Sequence, residues 1–224
     1  EFRRVLFRSL DAAAVAEVAA ALTGAGGGPA AVMLTGGNTP LALYARLART
    51  LPPAARDLYL FLSDERHVPP GDAALNGPHL DALATALRLP AERVLRVETD
   101  CGLDVAADRY EASLRPVLGR CRLPLGLLGL GADGHLASLF TDADVAAGAG
   151  RLAVAVRRPM PPHRVSVTPA VLERIEKLLF LVVGSAKADI IRQWRNAPAT
   201  VLAARAVASC RQVSCWYHVG EEDR

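Results

Sequence analysis

The sequence is poor in lysine and in aromatic residues. Of its 26 basic residues only Lys177 and Lys187 are lysines, and aromatic residues make up 5% of the 224 positions. A nucleic-acid-binding surface needs clustered basic residues, usually with aromatic side chains on which bases can stack. No such cluster is visible in the sequence, so we expect no nucleic-acid partner. The net charge of +3 then belongs to an ordinary solvated surface, and it is compatible with a small anionic substrate.

Closely spaced cysteines and long hydrophobic runs are lacking as well. The four cysteines form neither a CxxC pair nor a Cys/His ligand spacing, which argues against a structural zinc site and a redox dithiol. No apolar run reaches the roughly 18 to 20 residues that a membrane-spanning helix needs, so we expect a soluble protein with no membrane contact. Free thiols fit a reducing compartment, and the expected location is the cytoplasm.

The chain does contain enough apolar sequence for one sizeable core. With 224 residues, 51% of them hydrophobic, its length fits one α/β domain better than two. We assign this domain to residues 10–224. Residues 1–9 are basic and lack the apolar region and cleavage site of a secretory signal, and we expect them to be a non-native or unstructured leader.

Apolar runs typical of strands alternate with helical stretches along the chain. Such repeated βα units predict a mostly parallel central sheet with helices on both faces, a three-layer α/β fold. Ligands bind such sheets beyond the carboxyl ends of the strands, so the loops leaving those ends are the candidate site. The predicted strands are Ala30–Leu34, Leu58–Leu62, Val94–Val97, Leu125–Leu128, Leu152–Val156, Arg164–Val167 and Leu178–Val183, and the predicted helices are Asp11–Leu22, Pro40–Leu51, Pro78–Leu87, Val105–Leu118, Pro169–Ile175 and Ala186–Trp194.

The first candidate loop lies between a predicted strand and a helix and reads Thr35-Gly36-Gly37-Asn38-Thr39-Pro40. Two glycines allow the backbone to approach a ligand closely, and the helix N-terminus presents free N–H groups with a partial positive charge. This pattern predicts an anion site. An ordinary glycine-rich turn in which Thr39 caps the helix fits the local sequence equally well.

The second loop, expected to run from Ser63 to Gly77, concentrates charge directly after a strand. Asp64, Glu65, Arg66 and His67 follow one another, and Asn76 lies further along the same loop. An exposed surface turn often carries such residues. Their position at the carboxyl end of a strand would nevertheless bring them into the same crevice as the first loop.

The third loop, Gly129–His135, formally matches the GxGxxG dinucleotide fingerprint. A lone match is weak evidence, and the long helix and the acidic strand end that should follow it are missing. The glycines are better explained as a tight turn that presents Asp133 and His135. A carboxylate in that place could orient an imidazole that acts as a general base.

Two further cations complete the candidate set. Arg164 begins a predicted strand, and Lys187 lies at the start of a predicted helix. Each on its own is most often a surface charge. A lysine in the first turn of a helix is unfavourable to the helix dipole, and a bound anion would remove that conflict.

These segments together resemble the 6-phosphogluconolactonases, within the larger glucosamine-6-phosphate isomerase/6-phosphogluconolactonase superfamily. The segments are TGGNTP at 35–40, DERHVP at 64–69 followed by Asn76, LLGLGADGHLASLF at 127–140, RVSVT at 164–168 and GSAK at 184–187. The resemblance covers roughly residues 10–205. It implies a Rossmann-like fold, hydrolysis of 6-phospho-D-glucono-1,5-lactone to 6-phosphogluconate in the oxidative pentose phosphate pathway, and no metal or organic cofactor. The expected partner is the phosphorylated sugar lactone, and the expected assembly is a monomer or small homo-oligomer.

The resemblance also implies roles for individual residues. His135 would activate the attacking water while Asp133 orients it, and Asp64 and Arg66 would line the sugar end. The residues that would hold the 6-phosphate are Gly36, Gly37, Asn38, Thr39, Arg164 and Lys187. Two positions depart from the family pattern, because Pro124 stands where an aspartate is usual and Leu75 where a serine is usual. Neither departure removes a proposed catalytic group.

Two alternative functions stay open at this point. The isomerase/deaminase branch of the superfamily continues after the DGH with an Ala-Phe-Asn-Glu-Pro type of segment, whereas this chain reads Leu136-Ala-Ser-Leu-Phe140 and carries Arg66 where the isomerases usually have tyrosine. Both differences favour the lactonase. The other alternative is a sugar-phosphate sensor that keeps the binding loops but has lost the chemistry, and the presence of Asp133 and His135 argues against it.

Overall fold

The computed structural model describes residues 1–4, 7–24, 28–54 and 57–220, without the side chains of Phe7, Arg8, Ser9 and Asn38. A seven-stranded parallel sheet forms its centre. Its strands are β1 (Phe2–Arg4), β2 (Ala30–Leu34), β3 (Leu58–Leu62), β5 (Val94–Leu95), β6 (Gly126–Leu128), β9 (Leu178–Val183) and β10 (Val213–His218). They lie in the order β1-β10-β9-β6-β2-β3-β5. This confirms the predicted mostly parallel α/β architecture.

Helices cover both faces of this sheet. They are α1 (Phe7–Thr23), α2 (Asn38–Thr50), α3 (Asp81–Ala86), α4 (Leu103–Arg120), α5 (Asp142–Ala147), α6 (Pro169–Leu172), α7 (Ala188–Asn196) and α8 (Leu202–Ala206). Short 3-10 turns lie at Gly77–Leu80, Ala91–Arg93, Ser185–Lys187 and Pro198–Thr200.

Each face of the sheet has its own hydrophobic core, because successive side chains of a strand point to opposite faces. In β2, Ala31 and Met33 pack into the core that also holds buried residues of α4, α6, α7 and α8. Val32 and Leu34 pack into the core formed with α1, α2 and α3. A strand buried on both sides must be apolar at every position, which explains the uninterrupted Ala30–Leu34 run.

A second, three-stranded antiparallel sheet was not predicted. Its strands are β4 (Asp64–His67), β7 (Ala153–Val156) and β8 (His163–Val167), in the order β4-β8-β7. Ser63 joins the two sheets, because its N–H donates to the carbonyl of Leu34 at 2.8 Å while its carbonyl accepts from Val167 N–H at 2.8 Å. The charged segment after β3 is therefore a paired strand, and the prediction of a long loop from Ser63 is wrong at this point.

Two further expectations need correction, one about the first residues of the chain and one about the start of α2. Phe2–Arg4 pairs in parallel with β10, and α1 already begins at Phe7, so the expectation of unstructured residues is wrong for these stretches. That residues 1–9 are non-native stays a prediction, and residues 5–6 lie outside the described part of the chain. Helix α2 begins at Asn38 with Gly37 as its N-cap, and no side chain caps it. Thr39 is therefore the second residue of the helix instead of its cap.

The three candidate loops and the segment that carries Lys187 leave four adjacent strands. Since β9, β6, β2 and β3 are neighbours in the central sheet and run parallel, their carboxyl ends lie along one edge. The chain leaves β2 toward β3 on one side, while β6 pairs on the other side, so β2 marks the point where the strand order reverses. Ligand crevices of open α/β sheets form at such points.

Candidate active site

A cavity of about 350 Å³ opens at this edge of the sheet. The three candidate loops, the segment that carries Lys187 and strand β8 contribute to its wall. Its lining residues are Thr35, Gly36, Gly37, Asp64, Arg66, Asn76, Gly129, Leu130, Gly131, His135, Ala137, Ser138, Phe140, Arg164 and Lys187. The sequence-predicted loops therefore meet in space.

His135 and Asp133 form a hydrogen-bonded pair at the cavity. Asp133 Oδ1 lies 2.5 Å from His135 Nδ1 and accepts the backbone N–H of His135 at 3.3 Å. Because a carboxylate accepts a hydrogen bond, Nδ1 carries the proton and Nε2 is left as the acceptor of the neutral imidazole. Partial burial raises the pKa of Asp133, but the hydrogen bond and charge of His135 outweigh it, and the pKa of this carboxyl is lowered.

Gly131 makes room for this pair. Its N–H donates to the carbonyl of His135 at 2.9 Å and closes the turn. A Cβ atom at this position would lie 2.1 Å from His135 Nδ1 and 2.3 Å from Asp133 Oδ1. The imidazole and the carboxylate thus occupy the space that a side chain at position 131 would need. This requirement accounts for the glycine, and a bound nucleotide is not needed to explain it.

The residues after His135 fold back over the cavity. Leu136 and Leu139 form an antiparallel bridge, and Ala137 between them takes a positive φ of 48°. Phe140 then lies against the imidazole of His135, with ring centroids 4.5 Å apart, and the Arg158 guanidinium stacks 3.6 Å from the centroid of Phe140. The orientation of the His135 ring is therefore fixed by Asp133 at its edge and by Phe140 at its side.

Asp64 is a buried carboxylate with its hydrogen bonds satisfied. Ser138 Oγ donates to one oxygen at 2.6 Å, and Ser63 Oγ donates to the other at 2.7 Å. Ser63 Oγ also lies 3.1 Å from Thr35 Oγ1. A hydroxyl has one proton, so Thr35 donates to Ser63 while Ser63 donates to Asp64. This chain of hydrogen bonds ties the ends of β2 and β3 to the turn after His135.

Arg66 and Arg164 are direct partners in the antiparallel pairing of β4 and β8. Arg66 Nη1 donates to Asn76 Oδ1 at 2.7 Å and to the carbonyl of Ala74 at 2.9 Å, and Arg164 Nη1 donates to the carbonyls of Pro162 and His163. Among the described residues, neither guanidinium forms an ion pair with a carboxylate. Burial lowers the pKa of Arg164, and the charge of Arg66 lowers it further.

The glycine-rich loop and Lys187 border an adjoining compartment of about 160 Å³. Gly36, Gly37 and Lys187 face both spaces, while Thr39 lines this second one. The N-terminus of the 13-residue helix α2 begins here. The backbone of Asn38 starts that helix, and its side chain lies outside the described part of the structure. In the described chain Lys187 Nζ has no ion-pair partner.

The structure thus places the predicted residues in three positions. The residues that line the main cavity are Gly36, Gly37, Asp64, Arg66, His135, Arg164 and Lys187. Thr39 borders the adjoining compartment, and Asp133 lies behind His135. Sequence reasoning did not assign a site role to Thr35, Asn76, Ser138 or Phe140, although Asn76 and the segment containing Ser138 and Phe140 had been singled out as motifs. Their contacts depend on tertiary pairing that local sequence does not contain.

Within the described ranges, no group of three or more His, Cys, Asp or Glu side chains is arranged to hold a metal ion. No helix in that part of the chain is long and apolar enough to cross a membrane.

Comparison with known proteins places this chain in a family. The model of the glucosamine-6-phosphate isomerases/6-phosphogluconolactonase family matches residues 3–216. The 6-phosphogluconolactonase of Haemophilus influenzae is 32% identical over 201 residues, covering 84% of each chain. The crystal structure of 6-phosphogluconolactonase from Thermotoga maritima superposes with a TM-score of 0.81 at 25% identity, covering 96% of this chain and 98% of the other. A monomeric glucosamine-6-phosphate deaminase shares the fold with a TM-score of 0.78 at 18% identity.

Proposed function

This chain belongs to the glucosamine-6-phosphate isomerase/6-phosphogluconolactonase family, and we propose that it hydrolyses 6-phospho-D-glucono-1,5-lactone to 6-phosphogluconate in the oxidative pentose phosphate pathway. The observation that carries this proposal is the Asp133–His135 pair beside a cavity with three cationic side chains. A phosphorylated lactone needs both parts, because its ester bond requires a base to activate water and its phosphate requires positive charge.

His135 is the general base in this mechanism. With the proton of Nδ1 held by Asp133, Nε2 accepts a proton from water as the water oxygen bonds to the lactone carbonyl carbon. The tetrahedral intermediate then breaks the bond from that carbon to the ring oxygen, and the ring oxygen leaves with the electron pair. His135 returns the proton to this oxygen, which becomes the C5 hydroxyl, and the new carboxylic acid releases its own proton to solvent.

The phosphate is assigned to the glycine-rich loop with Arg164 and Lys187. Backbone N–H groups at the start of α2 and two cations would hold the dianion, while Asp64 and Arg66 contact the sugar. Binding through the distant phosphate fixes the carbonyl carbon next to His135, which lowers the entropy cost of the attack. A lactone is an activated ester, so one base and tight positioning suffice, and we propose a reaction without metal or organic cofactor.

Three further proposals concern the setting of the enzyme. We place it in the cytoplasm as a monomer or small homo-oligomer, with no nucleic-acid or membrane partner. Subcellular fractionation and sedimentation of the purified protein test these statements.

A lactone-hydrolysis assay at slightly acidic pH tests the function, because the spontaneous reaction is slower there. We expect the purified protein to accelerate hydrolysis far above the spontaneous rate, and His135→Ala to reduce turnover by about 100-fold or more with little loss of phosphate-ester binding. Wild-type turnover equal to the spontaneous rate would reject the proposal.

The same preparation separates the alternatives. Ammonia release from glucosamine 6-phosphate would establish a deaminase. Binding of 6-phosphogluconate without turnover of the lactone would indicate a sensor. Full activity of His135→Ala would exclude His135 as the base while leaving the overall reaction in place.

A further inference from the structure

Glu65 is a buried carboxylate that does not line the cavity. It is 2% exposed and lies in β4 between the two cavity residues Asp64 and Arg66. Its carboxylate accepts three backbone N–H groups, those of Arg66, Asn76 and Gly77, each at 2.7 Å. Burial raises the pKa of Glu65, and these hydrogen bonds oppose the rise. A buried charge persists in a fold when such donors compensate its desolvation.

Asn76, whose backbone N–H donates to Glu65, contacts the cavity residues Arg66 and Asp64 through its side chain. It is 1% exposed, and its side-chain Oδ1 accepts the Arg66 guanidinium at 2.7 Å. Its Nδ2 donates to the carbonyl of Asp64 at 3.0 Å. The Asn76 side chain therefore links the end of the loop 68–76 to the backbone of β4 and orients the Arg66 guanidinium at the cavity.

Asn76 also supports the glycine-rich loop. A Cβ atom built on Gly36 would lie 1.9 Å from Asn76 Oδ1 and 2.5 Å from Nδ2. The amide of Asn76 therefore packs directly against the backbone of Gly36. A shift of Asn76 would remove this support from the loop to which the phosphate is assigned.

We propose that Glu65 is a positioning residue for substrate binding, which acts through Asn76 to hold the Arg66 guanidinium and the Gly36 backbone in their binding positions. This inference rests on the proposed function, because it concerns how the same site holds its phosphorylated substrate. Glu65 does not touch the substrate. It supplies the acceptors for the backbone N–H groups of Asn76 and Gly77.

Glutamine cannot replace the carboxylate at this position. All three partners of Glu65 are N–H donors, and they use both carboxylate oxygens. The side-chain amide introduced by Glu65→Gln would keep one acceptor oxygen and direct an NH₂ group at a remaining N–H, leaving a buried donor unsatisfied. The segment carrying Asn76 would have to move away, and this movement would displace Arg66 and Gly36.

The test compares Glu65→Gln with Glu111→Gln. Glu111 is also a buried carboxylate, 8% exposed, but it lies in α4 and bonds Arg115 and Arg151 away from the cavity. We expect Glu65→Gln to raise KM for the lactone at least tenfold and to weaken binding of inorganic phosphate, with kcat changed less than threefold. Glu111→Gln should lower thermal stability while leaving KM unchanged.

A double-mutant cycle tests the route through Asn76. If Glu65 acts through Asn76, then adding Glu65→Gln to Asn76→Ala should raise KM no further than Asn76→Ala alone. As the control, adding Glu111→Gln to Asn76→Ala should also leave KM at the value of Asn76→Ala. Additive effects of Glu65→Gln and Asn76→Ala on KM would overturn the proposal.

Failure of this inference is distinguishable from failure of the proposed function. Wild-type activity is measured first, and its absence would reject the function itself. With an active wild type, a folded Glu65→Gln variant that keeps the wild-type KM would reject the positioning role. If Glu65→Gln does not fold, Asn76→Ala is measured in its place, and a wild-type KM in that folded variant would reject the route through Asn76.

Discussion

Arg66 lies directly opposite Arg164 in the antiparallel pairing of β4 with β8, and both side chains line the cavity. Like charges at directly opposite positions destabilise a pair of strands. In the described chain neither guanidinium forms an ion pair with a carboxylate. Burial and the charge of Arg66 lower the pKa of Arg164, and the Asp64 carboxylate partly opposes this effect. A dianionic ligand beside Arg164 would relieve this repulsion, which supports the proposed position of the phosphate.

The first prediction concerns stabilisation by anions. Inorganic phosphate at ten times its dissociation constant should raise the melting temperature of the wild type by about 3–5 °C. Arg164→Ala should lose at least half of this shift and raise KM for the lactone about tenfold or more. Arg109→Ala, which removes an exposed arginine paired with Glu98, is the control and should keep the full shift. An unchanged shift in Arg164→Ala, measured by calorimetry, would remove Arg164 from the phosphate site.

The second prediction concerns the space at Gly131. Because a Cβ atom there would overlap His135 and Asp133, Gly131→Ala must displace the base, and a displacement of about 1 Å can cost about 100-fold in rate. We expect kcat to fall by about that factor while the far-UV spectrum and phosphate binding are retained. Gly119→Ala in α4, where a Cβ atom would meet nothing within 4 Å, should keep wild-type kcat. Equal activity of the two variants would contradict the geometry.

The third prediction concerns pH. The pKa of Asp133 is lowered in the folded protein, so its pairing with His135 is present above the ordinary range of a carboxyl and is lost only as pH falls through the lowered value. Protonation of Asp133 therefore does not limit activity at mildly acidic pH. Activity should therefore depend on the Asp133 carboxylate throughout this range.

Asp133→Asn tests this assignment. The variant should lose about 100-fold or more in kcat, because an amide can turn its NH₂ group toward Nδ1 and then no longer holds the proton there that leaves Nε2 as the acceptor. Asp142→Asn, which removes an exposed carboxylate paired with Arg205, should keep the wild-type kcat. Wild-type kcat in Asp133→Asn would argue against the carboxylate as the group that orients His135.

The fourth prediction concerns thiol reactivity. Burial raises the pKa of Cys215 to about 12 and that of Cys210 to about 11, so their thiolate fractions at pH 8 are very small. A disulfide reagent added to the native protein at pH 8 should modify the partly exposed Cys101 first and leave Cys215 intact, as read by mass spectrometry of peptides. In denaturant all four cysteines should react. Rapid native labelling of Cys215 would show that β10 opens readily.

The main features of the fold follow from the sequence because they depend on local apolar patterns. Ala30–Leu34 and residues 178–182 are buried at every position, and a parallel sheet between two helical layers satisfies such runs. The location of the site follows from the same reasoning, because polar loops at the carboxyl ends of parallel strands share one edge.

The small antiparallel sheet could not be predicted in this way. Asp64–His67 carries no apolar alternation and resembles a surface turn, and its partner β8 lies about a hundred positions further along the chain. Burial of Glu65 and Asn76 depends on that pairing, so local sequence gives no reason to prefer them over other charged or polar residues. Phe2–Arg4 could not be recognised as a strand for a similar reason, since a short edge strand is specified by its neighbour β10 and not by its own composition.

The four adjacent strands that frame the cavity also make activity a late event in folding. Thr35 and Lys187 border the same space although about 150 positions separate them, and His135 comes from a third stretch of chain. Contacts of such long sequence separation form slowly, because loop-closure entropy is lost before they gain stability. Recovery of catalytic turnover after dilution from denaturant should therefore lag behind recovery of helical content, and a nascent chain released before β9 would have the base but lack the lysine.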